Sequence, residues 1–478
     1  MFFDSLGYYF FLFFAVIGFF LVNERHRKIF LLISSLLFYL IINPLWMLNF
    51  ALCVFVVFFV SKKTDCTEDY KIKRLFLILG IIFVFLPWIY YKLKIGFVNV
   101  ASGSLTELYF PIGLSFYSFQ SISYLIDVYR KEIEPENDFI IFALYMSFFP
   151  KILSGPIERA NNLIPQLKSK FEIHICNISN GFRLIGLGLF KKFVIANSLS
   201  IYVDMVYKNL SNQSRVAIFF ATILFFYRNV LDFSAYTDIA RGSSVLFGIN
   251  LSRNFKNPFI VTSISEMWTR INITLGLWFR DYVFFPLNYF SRKIFFTYVN
   301  IVFTFFLLAL WHGFNINIIC CYTIIGLFIV IENLFKNKSN EKIIHIMQRI
   351  PHLIKTAYVL ILMFFPMVFL NTDDFTTAIT TINSVLGLGS NKLLSSSDYQ
   401  IFSYDSEMFS IKFLVAIIFV LIGEGSVLLK LKFNSRFEKI KVFLFKSLIL
   451  KWIFYFLFII AFLIFGNFKM NPFYYFRF

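Results

Sequence analysis

The chain has 478 residues, of which 59% are apolar types and only 15% charged, with 70 phenylalanines and a mean hydropathy of +0.73. A soluble globular chain carries roughly 45–50% apolar and about 25% charged residues, so the composition excludes a soluble enzyme, a disordered protein and a secreted disulfide scaffold. The formal charge of +18 fits Lys and Arg collecting in the cytoplasmic loops of a membrane protein better than a nucleic-acid surface.

At ~20 apolar residues per span, the composition predicts an all-α polytopic membrane protein with about 11–12 transmembrane helices plus re-entrant or interfacial helices. The first apolar run covers residues 7–22. No basic residue precedes it and no small-residue cleavage site follows, which separates it from a signal peptide. It ends at Asn23-Glu24-Arg25-His26-Arg27-Lys28, a basic cluster that the positive-inside rule keeps in the cytoplasm, with the N-terminus outside. Runs 29–42 and 45–60 follow, hinged at Asn43-Pro44. Residues 61–74 then read as a second cytoplasmic loop carrying Lys62, Lys63, Lys71, Lys73 and Arg74, and 75–91 returns outward.

The middle of the chain mixes polar and apolar residues. Residues 108–128 are apolar but interrupted by Pro111, Gly113, Ser115, Ser118, Gln120 and Ser123. Such segments are tolerated at membrane depth only when packed in protein or lining a cavity. Apolar runs 139–153, 182–203, 216–231, 239–249, 298–310 and 316–330 follow, with a mixed segment at 254–286. Beyond it, 333–355 is basic and reads as cytoplasmic, 357–370 spans, and 371–409 is an acidic external loop. Residues 411–429 span back to a basic loop, and 448–465 lead to an external tail. Both termini are expected outside. The chain reads as one membrane-embedded domain over 1–478: N-terminal spans to 107, a core at 108–334, and C-terminal spans with the tail at 335–478. It shows no internal repeat. The five cysteines, Cys53, Cys66, Cys176, Cys320 and Cys321, form no C-x-x-C pair and no metal-ligand spacing with histidine.

An ionisable side chain inside an apolar stretch is costly and functional by default. His312, in Trp311-His312-Gly313-Phe314-Asn315, is the one histidine of five placed at membrane depth; a helix-packing histidine bonded to a carbonyl is the alternative. Ser263-Ile264-Ser265-Glu266 matches a capping box, which predicts a helix running through Trp268, Arg270, Asn272 and Thr274. On such a helix Trp268 and Asn272 share one face and Glu266 and Arg270 another. An interfacial helix with its charges on headgroups would account for Arg270, Arg280 and Asp281. Asp232-Phe233-Ser234-Ala235-Tyr236-Thr237-Asp238 sets two carboxylates in an otherwise apolar region, and Ser154-Gly155-Pro156-Ile157-Glu158-Arg159 reads as a turn with an adjacent ion pair.

Taken in order, these clusters resemble the bacterial branch of the membrane-bound O-acyltransferase family. The matching stretches are Pro111-Ile112-Gly113-Leu114-Ser115-Phe116-Tyr117-Ser118-Phe119-Gln120, Phe148-Phe149-Pro150-Lys151 with Gly155-Pro156-Ile157-Glu158-Arg159, Asp232-Phe233-Ser234 with Tyr236 and Asp238, Trp268 to Leu275, Trp311-His312-Gly313, and the ending Asn471-Pro472-Phe473-Tyr474-Tyr475-Phe476-Arg477-Phe478. The likeness is to the alginate and peptidoglycan O-acetyltransferases and, more distantly, to the D-alanyl transferase of teichoic acids. It implies a ring of helices around a central tunnel in a multi-pass protein of the bacterial cytoplasmic membrane.

The resemblance makes His312 the catalytic histidine. Asn272 stands where the bacterial branch usually has a second histidine, and where animal and plant members often carry Asn. Trp268, Arg270, Trp311, Asp232 and Asp238 are the expected lining of the substrate path. Tyr475 aligns with a tyrosine of the C-terminal signature, which suggests an acyl relay; an aromatic belt at the interface is the alternative. No bound cofactor or metal is expected. The implied donor is a cytoplasmic thioester such as acetyl-coenzyme A. The implied partners are an extracytoplasmic polysaccharide, or an external esterase-like protein that completes the transfer, and membrane lipid, with no nucleic acid. From other classes, a transporter or flippase using Asp232, Asp238 and His312 as a polar relay, or a non-catalytic membrane partner, stays open.

Overall fold

A computed structural model describes residues 3, 5–102, 113–153, 155–171, 174–290, 293–338, 349–389, 391–394, 407–432 and 447–468. All regular structure among the described residues is helical. Hydrocarbon offers no partner to a backbone N–H or C=O, and the helix satisfies both internally. Among the described residues, nine helices are long and apolar enough to cross a membrane.

The chain divides into two compact units. One comprises Met1–Gly188 and Tyr236–Asn254. It contains α1 (Leu6–Leu21), α2 (Arg27–Ile42), α3 (Pro44–Cys66), α4 (Tyr70–Ser102), α5 (Leu114–Tyr129), α6 (Phe139–Ser147), α7 (Phe149–Ile152), α8 (Ala160–Lys168) and most of α9 (Ile175–Phe190). The other comprises Leu189–Ala235 and Phe255–Phe478. It contains α10 (Asn197–Tyr207), most of α11 (Arg215–Val245), α12 (Ile264–Trp268), α13 (Ile273–Phe279), α14 (Phe285–Tyr289), α15 (Ile294–His312), α16 (Ile316–Lys338), α17 (His352–Asn371), α18 (Phe375–Leu386), α19 (Glu407–Lys432) and α20 (Leu448–Phe465).

The first unit is held by aromatic packing and a few buried hydrogen bonds. Tyr39 stacks on Phe50 at 4.9 Å, Phe149 meets Phe11 edge-on at 5.2 Å, and the Tyr8 hydroxyl donates to Ser243 at 2.8 Å. The hinge at Asn43-Pro44 separates α2 from α3: Asn43 Oδ1 accepts from the Leu45 and Trp46 amides, and Pro44 occupies the first helical turn, where its missing N–H costs nothing.

One loop and three apolar runs differ from the sequence reading. Residues 61–74 are mostly helix, because α3 continues to Cys66 and α4 starts at Tyr70; the helices outrun their apolar stretch, with Lys63 and Lys71 exposed. Runs 216–231 and 239–249 are one 31-residue helix, α11, because the acids between them interrupt the hydropathy and not the backbone ladder. Run 139–153 breaks into α6 and α7. Pro150 has no N–H to give the carbonyl of Met146, and the Lys151 ammonium donates to that oxygen at 3.2 Å instead.

The backbones of α9 and α11 touch inside the first unit. A Cβ built on Gly242 would lie 2.7 Å from the Gly181 carbonyl oxygen and 2.9 Å from the Ile185 amide nitrogen. Small residues permit such close crossings. Gly242→Ala is therefore expected to force the helices apart and destabilise the protein by about 1–3 kcal/mol, the usual cost of overpacking. A thermal melt in detergent, followed by monodispersity, checks it; an unchanged melt would show that the crossing relaxes freely.

Candidate active site

The site is assembled within the second unit from α12, α13, α15 and α16, with α11 and α17 completing the wall. His312 is the last residue of α15, which the Gly313 amide closes by donating to the Ala309 carbonyl. The ring is buried, at 7% exposure. It lies flat on Tyr322 of α16, with centroids 4.6 Å apart and planes 11° apart, and Trp311 meets it edge-on at 4.4 Å. The ring orientation is thus fixed by packing.

The facing wall departs from the single helix expected over residues 263–274. Ser263 caps α12, its Oγ accepting from the Glu266 amide at 3.0 Å. The Glu266 carboxylate reaches back to Thr262, accepting from its amide and hydroxyl at 2.7 Å each. After only five residues α12 ends. The chain turns through Asn272, at φ 45° and ψ 52°, and α13 begins. Asparagine enters this left-handed region more readily than other non-glycine residues. Its carbonyl accepts the first amide bond of α13, from Gly276 at 3.0 Å. Trp268 and Asn272 therefore lie on either side of a break, and not at i and i+4 of one helix.

A cavity of about 450 Å³ opens between these elements, within the range of small-molecule sites. Trp268, Asn272, Arg280, Thr304, His312 and Tyr322 supply its polar and aromatic wall, and residues such as Leu308, Ile325, Met363 and Met367 supply the apolar remainder. Trp268 is wedged against Phe305, at 4.7 Å, and edge-on to Tyr322, at 6.2 Å. Asn272 Oδ1 is buried with no hydrogen-bond partner among the described residues. An orphaned acceptor of this kind carries a desolvation cost that a substrate donor would relieve.

The other residues singled out in the sequence fall elsewhere. Trp311 is buried against His312 but lies outside the cavity's described wall. Arg270 also lies outside that wall. It pairs with Glu266 and donates to the carbonyls of Asn257 and Ile260, both at 3.2 Å. Burial pushes the Glu266 carboxyl up, but the Thr262 bonds and Arg270 outweigh it and hold the group below the usual glutamate range. Asp232 forms a buried ion pair with Lys192 at 2.8 Å, and Asp238 pairs with Arg241 at 3.6 Å. Tyr475 lies outside the described residues. The Glu158 carboxylate accepts from the Ser252 amide and hydroxyl and from Asn162. Among the described residues no group of three His, Cys, Asp or Glu side chains is arranged to hold a metal ion.

Two wall residues, Tyr322 and Arg280, and two residues of the surrounding scaffold, Lys192 and Glu332, are not singled out in the sequence reading. Tyr322 is one aromatic among many and carries no signal. Arg280 reads in sequence as a headgroup partner and instead lines the cavity. Lys192 sits in the π-helical turn Lys191–Ala196; such turns are often found at functional sites. Glu332 is the one acid of α16, and the rule that singles out His312 applies to it equally.

A family model described as the membrane-bound O-acyltransferase family matches residues 35–372, a stretch that includes the whole described cavity wall. The protein named probable alginate O-acetylase AlgI of Pseudomonas syringae pv. tomato is 32% identical over 329 residues, which cover 66% of this chain and 62% of that protein. The peptidoglycan O-acetyltransferase of Helicobacter pylori is 27% identical over 323 residues, 61% of each chain. The teichoic acid D-alanyltransferase of Bacillus subtilis is 28% identical over 218 residues, 42% of this chain and 53% of that one. The chain thus spans about three fifths of the length of the alginate and peptidoglycan relatives.

Lys192 and Asp232 are 3% and 6% exposed. Removing one partner of a buried pair strands the other charge, typically at a cost of about 3–5 kcal/mol, whereas replacing both with apolar groups is often neutral. Lys192→Met is expected to lose stability on that scale, and the double variant Lys192→Met/Asp232→Leu to regain most of it. Reversible unfolding in mixed detergent micelles measures both; a single variant as stable as the parent would show the pair to be idle.

Proposed function

The chain belongs to the membrane-bound O-acyltransferase family, and from that premise we propose that it is a multi-pass O-acyltransferase that moves an acetyl group from a cytoplasmic thioester to a hydroxyl of an extracytoplasmic polysaccharide such as peptidoglycan or an alginate-like glycan. The observation that carries the reading is the placement of His312 and Asn272 on the wall of one cavity. The imidazole is clamped against Tyr322, and the amide oxygen is left without a partner among the described residues.

In this reading His312 is the general base. An imidazole with an unperturbed pKa near ~6.5 suits the base role at neutral pH. The imidazole takes the hydroxyl proton as the oxygen attacks the thioester carbonyl. The carbon–sulfur bond then breaks, and the imidazolium returns the proton to the departing thiolate. Asn272 cannot serve as a base. Its amide N–H is suited to the carbonyl oxygen that gains charge, a contribution typically of ~10²–10³ in rate. Its Oδ1 is left for a donor on the substrate. The largely apolar cavity keeps water from competing as the acceptor. The donor is proposed to be acetyl-coenzyme A, entering from the cytoplasm. The tail at Tyr475 is proposed to accept the acetyl group and present it outside, directly to glycan or to an external esterase-like protein. Both termini are then extracytoplasmic, and the protein sits in the bacterial cytoplasmic membrane. The transporter alternative would need Asp232 and Asp238 as a proton relay, and both are engaged with cations.

Purified protein incubated with labelled acetyl-coenzyme A tests this. His312→Ala is expected to lower donor turnover by about 10²–10⁴ in protein that stays folded and inserted; retained turnover sinks the base assignment. Tyr475→Phe keeps the ring and removes only the hydroxyl. It is expected to abolish an acetylated C-terminal peptide and external glycan acetylation, and full acetylation in that variant would leave the relay without support. Mass analysis of cell-wall glycan and exopolysaccharide, with and without the chain, identifies the acceptor.

A further inference from the structure

Glu332 is buried, at 8% exposure, on a membrane-spanning stretch of α16, and among the described residues its carboxylate bonds to another segment's backbone and the hydroxyl beside it. One oxygen accepts from the Ile264 amide at 2.8 Å, and the other from the Ser265 amide and hydroxyl, both at 3.0 Å. These amides are the first two of α12, whose N–H groups have no partner within the helix. The segment they begin delivers Trp268 and then Asn272 to the cavity wall.

The same helix controls the other half of the site. Tyr322 lies ten residues before Glu332, about 15 Å along the axis at ~1.5 Å per residue, and its ring is stacked on His312. Between the two, a Cβ on Gly326 would come within 3.0 Å of Phe305 Cβ on α15, so α16 lies close against the helix that ends in His312. Helix α16 thus fixes the His312 ring at one point and the start of the Asn272 segment at another. Thr356 of α17 adds a lesser tie, donating to the Val261 carbonyl at 3.0 Å.

We propose that Glu332 is a positioning residue that sets the placement of Asn272 relative to His312, and through it the rate of acyl transfer. The proposal rests on the acyltransferase reading of the cavity. Glu332 lies outside the cavity's described wall and acts through α12. A carboxylate is well matched to this position. It is acceptor-only, it complements the positive end of a helix dipole, and its bonds to amides are charge-assisted. A displacement of about 1 Å in a catalytic group can cost on the order of 10²-fold.

The test uses the full chain in nanodiscs, with labelled acetyl-coenzyme A, and compares Glu332→Gln, Glu332→Ala and Ser265→Ala. Glu332→Gln keeps one acceptor oxygen and turns an N–H against the amides. Ser265→Ala removes one bond of three and leaves the charge. The expected result is a kcat lower by roughly tenfold or more for Glu332→Ala, with smaller losses for the other two and KM for the donor changed less than about threefold. Hydrogen–deuterium exchange should rise across the peptide covering 262–276 as far as Asn272. A purely structural role would lower thermal stability and leave kcat per folded molecule intact. Unchanged kcat in folded Glu332→Gln and Ser265→Ala overturns the proposal. If the parent chain itself turns over no donor, the acyltransferase reading fails, and the exchange measurement alone decides: faster exchange reaching Asn272 supports positioning, and a change confined to 264–265 overturns it.

Discussion

Hydrocarbon supplies no hydrogen bonds, so a non-helical stretch at membrane depth has to find partners from the protein itself or line a cavity. The segment from 255 to 272 shows how that demand is met. Arg270 holds two of its carbonyls and also accepts on its own carbonyl from the Lys256 amide. Glu266 takes the Thr262 amide, Thr356 holds the Val261 carbonyl, and Glu332 takes the two leading amides of α12. Arg270, which an interfacial helix would place on headgroups, is here a backbone partner. The irregular path they support is what allows Asn272 to adopt a left-handed conformation beside the cavity. A continuous helix through that point would carry Asn272 on a different course from Trp268.

The same constraint governs the buried pair of the second unit. Adjacent lysines in one π-helical turn reach two nearby residues of α11: Lys192 meets Asp232 at 2.8 Å, and Lys191 donates to Ser234 at 2.9 Å. A π turn holds more residues than an α turn, which presents both lysines toward α11. The Asp-Phe-Ser cluster that reads in sequence as a polar lining is, at its first and third positions, a lock between two segments, and the Phe233 side chain between them faces the cavity.

Composition and hydropathy carried most of the fold, because spans are set by length and apolarity, which are local properties. His312 was legible for the same reason: a titratable ring at the end of an apolar run is conspicuous without any knowledge of its neighbours. The break at Asn272 was not legible, since a capping box, a run of helix-compatible residues and no proline between 263 and 286 all argue for continuation. The start of α12, ahead of that turn, is held by a partner far away in sequence, Glu332. Lys192 and Tyr322 stayed hidden for the same reason, as their meaning lies in residues 40 and 10 positions distant. The polar clusters at 232–238 and 254–286 were visible as clusters, but chemistry and scaffolding look alike until each side chain's partner is known: Arg270 proved to be scaffold, and Arg280 proved to face the cavity.

The wall of the cavity also gives the aromatic excess a physical role. Aromatic rings contribute large contact area with few rotatable bonds, so little entropy is lost in fixing them. The sequence His312–Tyr322–Trp268–Phe305 is a chain of ring contacts that ties α15, α16 and α12 together around the cavity. Such a wall resists reorganisation, which matters because donors placed in advance stabilise developing charge without a further cost during reaction. Within it the polar groups are few, and Asn272 and His312 differ in what each can do. An amide can donate and accept but cannot take up a proton at neutral pH. In the proposed reading a single imidazole and an amide divide the work, His312 transferring the proton and Asn272 orienting the reacting carbonyl.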